Sequence, residues 1–93
     1  MEKLNEILKK FSKSDLKNVK EIVLDYCNLG VVEIKLLLSF KLTNLISLDL
    51  NGNGIGVEGA KAIATGNLAN LSSLSLDLTG IGDKGAKAIA TVN

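Results

Sequence analysis

Apolar and polar positions along the chain follow a pattern that recurs with a step of 26 residues. Residues 42–67 read LTNLISLDLNGNGIGVEGAKAIATGN, and residues 68–93 repeat this segment closely as LANLSSLSLDLTGIGDKGAKAIATVN. The same step in the other direction reaches residues 16–41, which carry a more divergent version of the pattern. The sequence therefore predicts a single domain of three tandem repeats after a head of residues 1–15.

Each predicted repeat contains a short strand followed by a helix. Leu48 and Leu50 alternate with polar residues, which is the period of a strand with one buried face. The second half of a repeat, such as the segment GAKAIA, is rich in helix-compatible alanine. Gly30, Gly56 and Gly82 occupy one column between strand and helix, and we expect them to share a tight backbone conformation. Strands that recur every 26 residues, each followed by a helix, stack into a parallel sheet, so the predicted fold class is α/β.

The head has the pattern of an amphipathic helix. Its apolar residues Leu4, Ile7, Leu8 and Phe11 recur at helical spacing, with charged residues between them. One face of such a helix has to be buried, and the bulky apolar residues of the first repeat offer the surface beside it. Residues 1–15 are therefore predicted to form an N-terminal capping helix.

Aligned apolar columns in the three repeats spell LxxLxLxxN followed by a further aliphatic position. Cys27, Asn53 and Thr79 hold the N position, where a short polar side chain can bond backbone groups of the following turn. On these residues the chain resembles the leucine-rich repeat family, and its GAKAIA helices resemble the ribonuclease-inhibitor-like subclass. The resemblance implies a solenoid with a short parallel sheet on the concave side, helices on the convex side and a non-catalytic role in protein binding.

Composition narrows the class of partner and the cellular location. The basic residues are all lysines and aromatic residues are scarce, which disfavours nucleic acid as a partner. No apolar run is long enough for a transmembrane helix, and the N-terminus lacks the hydrophobic core of a signal peptide. The single cysteine, Cys27, cannot form an internal disulfide, so we expect a cytoplasmic-type location. We expect neither nucleic acid nor a membrane as a partner.

Candidate catalytic and metal-binding residues are few. The chain has no histidine, and hence no general base tuned near neutral pH. Cys27 lies in the N column, where we expect a structural thiol rather than a nucleophile. The column of Asp25, Asn51 and Asp77 could hold a calcium ion, but solvated carboxylates on an open surface are the preferred interpretation. We therefore expect no enzyme activity, no cofactor and no metal.

A glycine pattern raises one alternative function. Residues 54–59, GIGVEG, match the GxGxxG fingerprint of dinucleotide-binding folds and lie between a predicted strand and a predicted helix, with Asp77 further along. Residues 80–85, GIGDKG, repeat the fingerprint one period later, where no further strand follows. The repeat explains both copies, so a nucleotide-binding domain is the less favoured hypothesis.

The resemblance also implies that the residues between the strand leucines lie on the concave face. Tyr26 and Leu78 are the large side chains there, beside an acidic and serine-rich strip, a combination suited to a protein partner. An ordinary solvated surface is the alternative interpretation. The predicted binding face comprises Glu21, Val23, Asp25, Tyr26, Ser47, Asp49, Asn51, Ser73, Ser75, Asp77 and Leu78.

The last repeat keeps the internal pattern, so we expect its apolar residues to face solvent and its strand to leave an unpaired edge. The chain would then be either part of a longer array, such as a bacterial or protist repeat protein or effector, or a unit in which two copies meet end to end. Self-assembly is therefore the alternative function to partner binding. The predicted self-association face comprises Leu74, Leu76, Ile81 and Ile89.

Overall fold

A computed structural model describes Asn5, Leu16, residues 18–66 and residues 68–90 of the chain. Apart from Asn5, the predicted capping helix of residues 1–15 lies outside the described residues, as do the last three residues of the predicted third repeat. The described residues form three strands and three helices.

The sheet has three parallel strands in the order β1-β2-β3. These are β1 at Glu21–Val23, β2 at Ser47–Asp49 and β3 at Ser73–Ser75. Glu21 lies beside Ser47 and Ser47 beside Ser73, so neighbouring strands are offset by one full sequence period. The prediction of a short parallel sheet is confirmed.

Each strand is followed by a helix, which gives three strand–helix units. The helices are α1 at Val31–Leu38, α2 at Gly56–Thr65 and α3 at Gly82–Ala90. The first unit contains β1 and α1, the second β2 and α2, and the third β3 and α3. Successive helices pack side by side, α1 against α2 and α2 against α3. None of the described helices has the length and apolar character needed to cross a membrane.

The strand alternation places one set of side chains in the core. Ile22, Leu24, Leu48 and Leu50 are at most 2% exposed, whereas the residues between them are exposed or half-buried. Burying one such leucine or isoleucine stabilises the fold by about 1.5–3 kcal/mol. The remaining fully buried aliphatic side chains of the described residues come from the loops and from the inner faces of the helices: Leu16, Leu29, Ile34, Leu37, Leu42, Leu45, Ile55 and Ala60.

Small residues allow α2 and α3 to pack closely, as the alanine-rich sequence predicts. A Cβ atom added to Gly85 would lie 3.1 Å from the Cβ of Ala60 and 2.6 Å from that of Ile81. In α2, a Cβ on Gly59 would lie 2.7 Å from the Cβ of Ile55. Glycine at these helical positions is therefore required by packing, and the last glycine of each GxGxxG segment has a structural role.

The predicted common conformation of the glycine column is correct in two units and wrong in the first. Gly56 and Gly82 have φ values of +60° and +63°, in the left-handed region that favours glycine. Gly30 instead has an extended backbone, with φ −116° and ψ −165°. The reason is Glu33, whose Oε1 accepts a hydrogen bond from the Gly30 N–H at 2.7 Å and caps α1. The other two units have Gly59 and Gly85 in the column of Glu33 and lack this cap.

Asn53 joins the first unit to the second. Its Oδ1 accepts hydrogen bonds from the N–H groups of Cys27 at 3.1 Å and Leu29 at 3.0 Å. Its Nδ2 donates to the carbonyl oxygens of Leu24 and Leu50, both at 2.9 Å. The predicted role of the N column in satisfying turn backbone is confirmed for Asn53, and the bonds also extend into the preceding unit.

Thr79 occupies the same column in the third unit but makes fewer bonds. Its Oγ1 donates to the Leu76 carbonyl at 2.6 Å, within its own turn. The threonine hydroxyl is a single oxygen atom, whereas the asparagine amide has a separate oxygen and nitrogen with which to bond two units at once. Among the described residues, none accepts a hydrogen bond from the N–H groups of Asn53 and Ile55, which correspond to those of Cys27 and Leu29. Thr79 therefore makes none of the bonds between units that Asn53 makes in the same column.

Candidate functional site

One side of the sheet is directed away from the core, and the predicted binding residues lie along it. The strand register puts Glu21, Ser47 and Ser73 in one row and Val23, Asp49 and Ser75 in the next. All of these side chains are exposed or half-buried. We call the following set the sheet face: Glu21, Val23, Asp25, Tyr26, Ser47, Asp49, Asn51, Ser73, Ser75, Asp77 and Leu78.

Backbone hydrogen bonds hold the polar residues where the strands end. Asp49 Oδ1 accepts from the Asn51 N–H at 3.0 Å, and Asn51 Oδ1 accepts from the Asp77 N–H at 2.7 Å. The Asn51 carbonyl accepts from the Tyr26 N–H at 2.8 Å. These bonds fix the orientation of the Asp49 and Asn51 side chains, so this part of the sheet face is organised before any partner arrives.

Tyr26 and Leu78 project from the sheet face on strained backbone. They are 68% and 78% exposed, and their φ values are +53° and +58°. The corresponding residue of the second unit is Gly52, with φ +72°, and a Cβ there would overlap the Tyr26 ring. The left-handed conformation costs a bulky residue about 1–2 kcal/mol relative to glycine. The sequence signal that could have revealed this strain is the glycine in the same column.

The charge of the sheet face is negative throughout. Its ionisable side chains other than the Tyr26 phenol are the carboxylates of Glu21, Asp25, Asp49 and Asp77, and no lysine belongs to the set. Within the described residues, no group of three or more His, Cys, Asp or Glu side chains is arranged to hold a metal ion. The sheet face can therefore attract positive charge while offering apolar contact through Tyr26 and Leu78.

The third unit has a second open surface, on the side facing away from α2 and β2. Its apolar side chains are less buried than those in the same columns of the second unit, where Leu48, Leu50, Ile55 and Ile63 are 1%, 0%, 0% and 5% exposed. A groove of about 410 Å³ lies beside this surface, lined by Leu74 and Ile89 together with Ile63 of α2. We call the following partly exposed set the end face: Leu74, Leu76, Ile81 and Ile89.

Backbone groups at the end face also differ from those inside the sheet. The Leu24 N–H donates to the Asp49 carbonyl and the Leu50 N–H to the Ser75 carbonyl, both at 2.9 Å. The corresponding N–H of Leu76 has no acceptor among the residues that the structure describes. An unpaired strand edge beside partly exposed leucines is a site where a further strand can add.

Comparison with known proteins identifies the family. No curated protein and no solved structure matches the chain significantly. The family model for leucine-rich repeats matches residues 41–64 and again residues 67–90, which together make up just over half of the chain. These spans contain β2 with most of α2, and β3 with α3. Leucine-rich repeats generally mediate protein–protein interaction and are typically non-catalytic. The chain belongs to the leucine-rich repeat family.

Proposed function

We propose that this protein is a non-catalytic binding module that holds a protein partner on its sheet face. The observation that carries the proposal is the in-register display of polar side chains with Tyr26 and Leu78 projecting beside them. Strained exposed residues are often retained at binding surfaces because the strain positions a side chain for contact. Aromatic anchors next to polar groups are a common composition at protein interfaces.

The proposed architecture that supports this surface is a short solenoid of three repeats, at residues 16–41, 42–67 and 68–93. The family match covers parts of the second and third, and the sheet register supports the first because β1 pairs with β2 at the same offset that joins β2 to β3. In this proposal the sheet face is concave, the helices lie on the convex side, and residues 1–15 form the cap. The helical second halves favour the ribonuclease-inhibitor-like subclass.

The charge of the sheet face indicates the chemistry of the partner. The carboxylates of Glu21, Asp49 and Asp77 attract lysine and arginine side chains, and salt would screen this attraction over about 8–10 Å. The exposed Tyr26 ring can add a cation–π contact to such a group. We therefore propose a basic, extended protein segment as the ligand of the sheet face.

A displayed peptide library screened against the full chain tests this function. We expect selected peptides to be rich in lysine and arginine, to bind more weakly in high salt, and to lose binding to the Asp77→Lys variant. Glu58→Lys is the matched control, since it makes the same charge change at an exposed position on α2. Peptides that bind Asp77→Lys and the original chain equally well would show that the sheet face is not the binding surface.

The biological setting proposed from the family resemblance is a bacterial or protist repeat protein, such as an effector directed at a host. The regular GAKAIA segments support this setting. Sequencing the source transcript tests it, because a longer array would encode further repeats of the same step beyond Asn93. A transcript of animal or plant origin would contradict it.

Self-association is the second candidate function. The end face favours it, because Leu74 and Leu76 are partly exposed and the adjacent strand edge is unpaired within the described residues. Nucleotide binding has weaker support, since the repeat explains both glycine segments and every glycine in them except Gly54 has a left-handed backbone or a packing role.

A further inference from the structure

The outer edge of β3 presents hydrogen-bonding groups in a defined order. In the parallel ladder the Ile46 carbonyl accepts from Ser72 and Ser73, and the Leu50 N–H donates to Ser75. Because bonding direction alternates along a strand, the Leu74 N–H and carbonyl, the Leu76 N–H and the Ser72 carbonyl point away from β2. This edge therefore offers both donors and acceptors to an added strand.

At the opposite end of the stack, the apolar side chains of the first unit are buried. Ile22, Leu24 and Ile34 of the first unit are at most 2% exposed, although they occupy the same columns as residues of the third unit that are partly exposed or exposed. These buried side chains leave the first unit little apolar surface in these columns for the end face of a second copy to cover. Two end faces, in contrast, are both open and can cover each other.

The charges on α3 are self-complementary. Gly85 faces α2, because its Cβ position lies against Ala60. At 3.6 residues per turn, Asp83 and Lys87 each lie about 160° around the helix from Gly85, on the side away from α2. Two α3 helices placed antiparallel would therefore bring Asp83 of each copy near Lys87 of the other. The second unit has the half-buried Val57 in the column of Asp83, so this charge is specific to the last helix.

From these features we infer that two copies of this chain associate end to end through their end faces, with two-fold symmetry. The β3 strands pair antiparallel about Leu74, so that the Leu74 N–H of each copy donates to the Leu74 carbonyl of the other. The Leu76 N–H of each copy then meets the Ser72 carbonyl of the other, and the sheet continues across both copies. This inference rests on self-association, the second candidate function above, and does not depend on partner binding at the sheet face.

Analytical ultracentrifugation of the full chain over a wide concentration range, with exposed charge variants, tests the inference. We expect a concentration-dependent dimer. Asp83→Lys and Lys87→Glu should each weaken it about tenfold, since each replaces two attractive pairs by repulsive ones across the symmetry axis. An equal mixture of the two variants should dimerise as well as the original chain, because the altered charges complement each other only between unlike copies.

Two further variants serve as controls. Glu58→Lys changes a charge on α2 away from the end face, and Asp77→Lys changes one on the sheet face; both should leave the dimer constant unchanged. A monomer at every concentration would overturn the inference, as would a dimer insensitive to Asp83→Lys and Lys87→Glu. A dimer weakened by Asp77→Lys would also overturn it by placing the contact on the sheet face. Because no peptide partner is present, these outcomes are independent of the peptide-binding test.

Discussion

Replacing Asn53 with threonine should remove most of the side-chain bonding between the first two units. Threonine can keep one bond, from its hydroxyl to the Leu50 carbonyl, as Thr79 does with Leu76. It loses the bonds to the N–H groups of Cys27 and Leu29 and to the carbonyl of Leu24.

The expected loss of stability follows from burial. Leu29 is 1% exposed, so its N–H would be left without water or protein partner, at a cost of about 1–3 kcal/mol. The Cys27 N–H is only partly buried and can be hydrated in part. We expect a total loss of about 2–4 kcal/mol, a large share of the roughly 5–14 kcal/mol expected for a domain of this size.

Equilibrium unfolding in urea, followed by circular dichroism, measures this change. Asn70→Thr is the control: Asn70 is exposed, and water can replace its one bond, to the Thr43 carbonyl, so the free energy of unfolding should change by less than about 0.5 kcal/mol. The reverse substitution, Thr79→Asn, should stabilise the chain by about 1–2 kcal/mol, because its amide can bond the N–H groups of Asn53 and Ile55. A loss below about 0.5 kcal/mol for Asn53→Thr would refute the proposed bridging role.

Three further predictions concern other positions, two of them with a matched control substitution. Leu50→Asp should abolish the circular dichroism signal of the folded chain, because it puts a carboxylate at a position with no exposure. Asp49→Ala should lower the free energy of unfolding in urea by only about 1 kcal/mol, because it removes one acceptor, that of the Asn51 N–H. Leu78→Gly should stabilise the fold by up to about 1 kcal/mol and raise its melting temperature, because glycine adopts the left-handed backbone of this position without strain. A lower melting temperature would show instead that the exposed Leu78 side chain stabilises the fold. Gly85→Ala should destabilise the fold by about 1–3 kcal/mol through overpacking between α2 and α3. Gly54→Ala is the control and should have little effect, because the space around Gly54 is open. Equal effects of the two substitutions in thermal unfolding would contradict the close contact between the helices.

Much of the fold could be predicted because the repeat encodes it locally. Alternation around Leu48 and Leu50 predicted the buried side of each strand, and the fixed step predicted which residues share a row of the sheet. The N column predicted that Asn53 would satisfy turn backbone. Each of these features depends on residues within one period and on the geometry of a strand.

Other features depend on departures from the common pattern of the repeats, and reasoning from that pattern missed them. The extended backbone at Gly30 follows from Glu33, which departs from the glycine of the other units. The strain at Tyr26 and Leu78 becomes visible only when their backbone is compared with Gly52. The sequence predicted the members of the sheet face but not this constraint on its two projecting side chains.

The sequence by itself determined the order of strands and helices, the spacing of the rows and the apolar columns. These features follow from the strand period of two residues, the helix period of about 3.6 residues and the repeat step, all of which can be read from the sequence. Only the tertiary structure decided which columns are fully buried and which backbone groups are paired. Leu48 and Leu74 have the same local pattern, yet Leu48 lies between two strands while Leu74 has β2 on one side only. Burial and hydrogen bonding are properties of what lies next to a residue in space, and that differs between units of identical pattern.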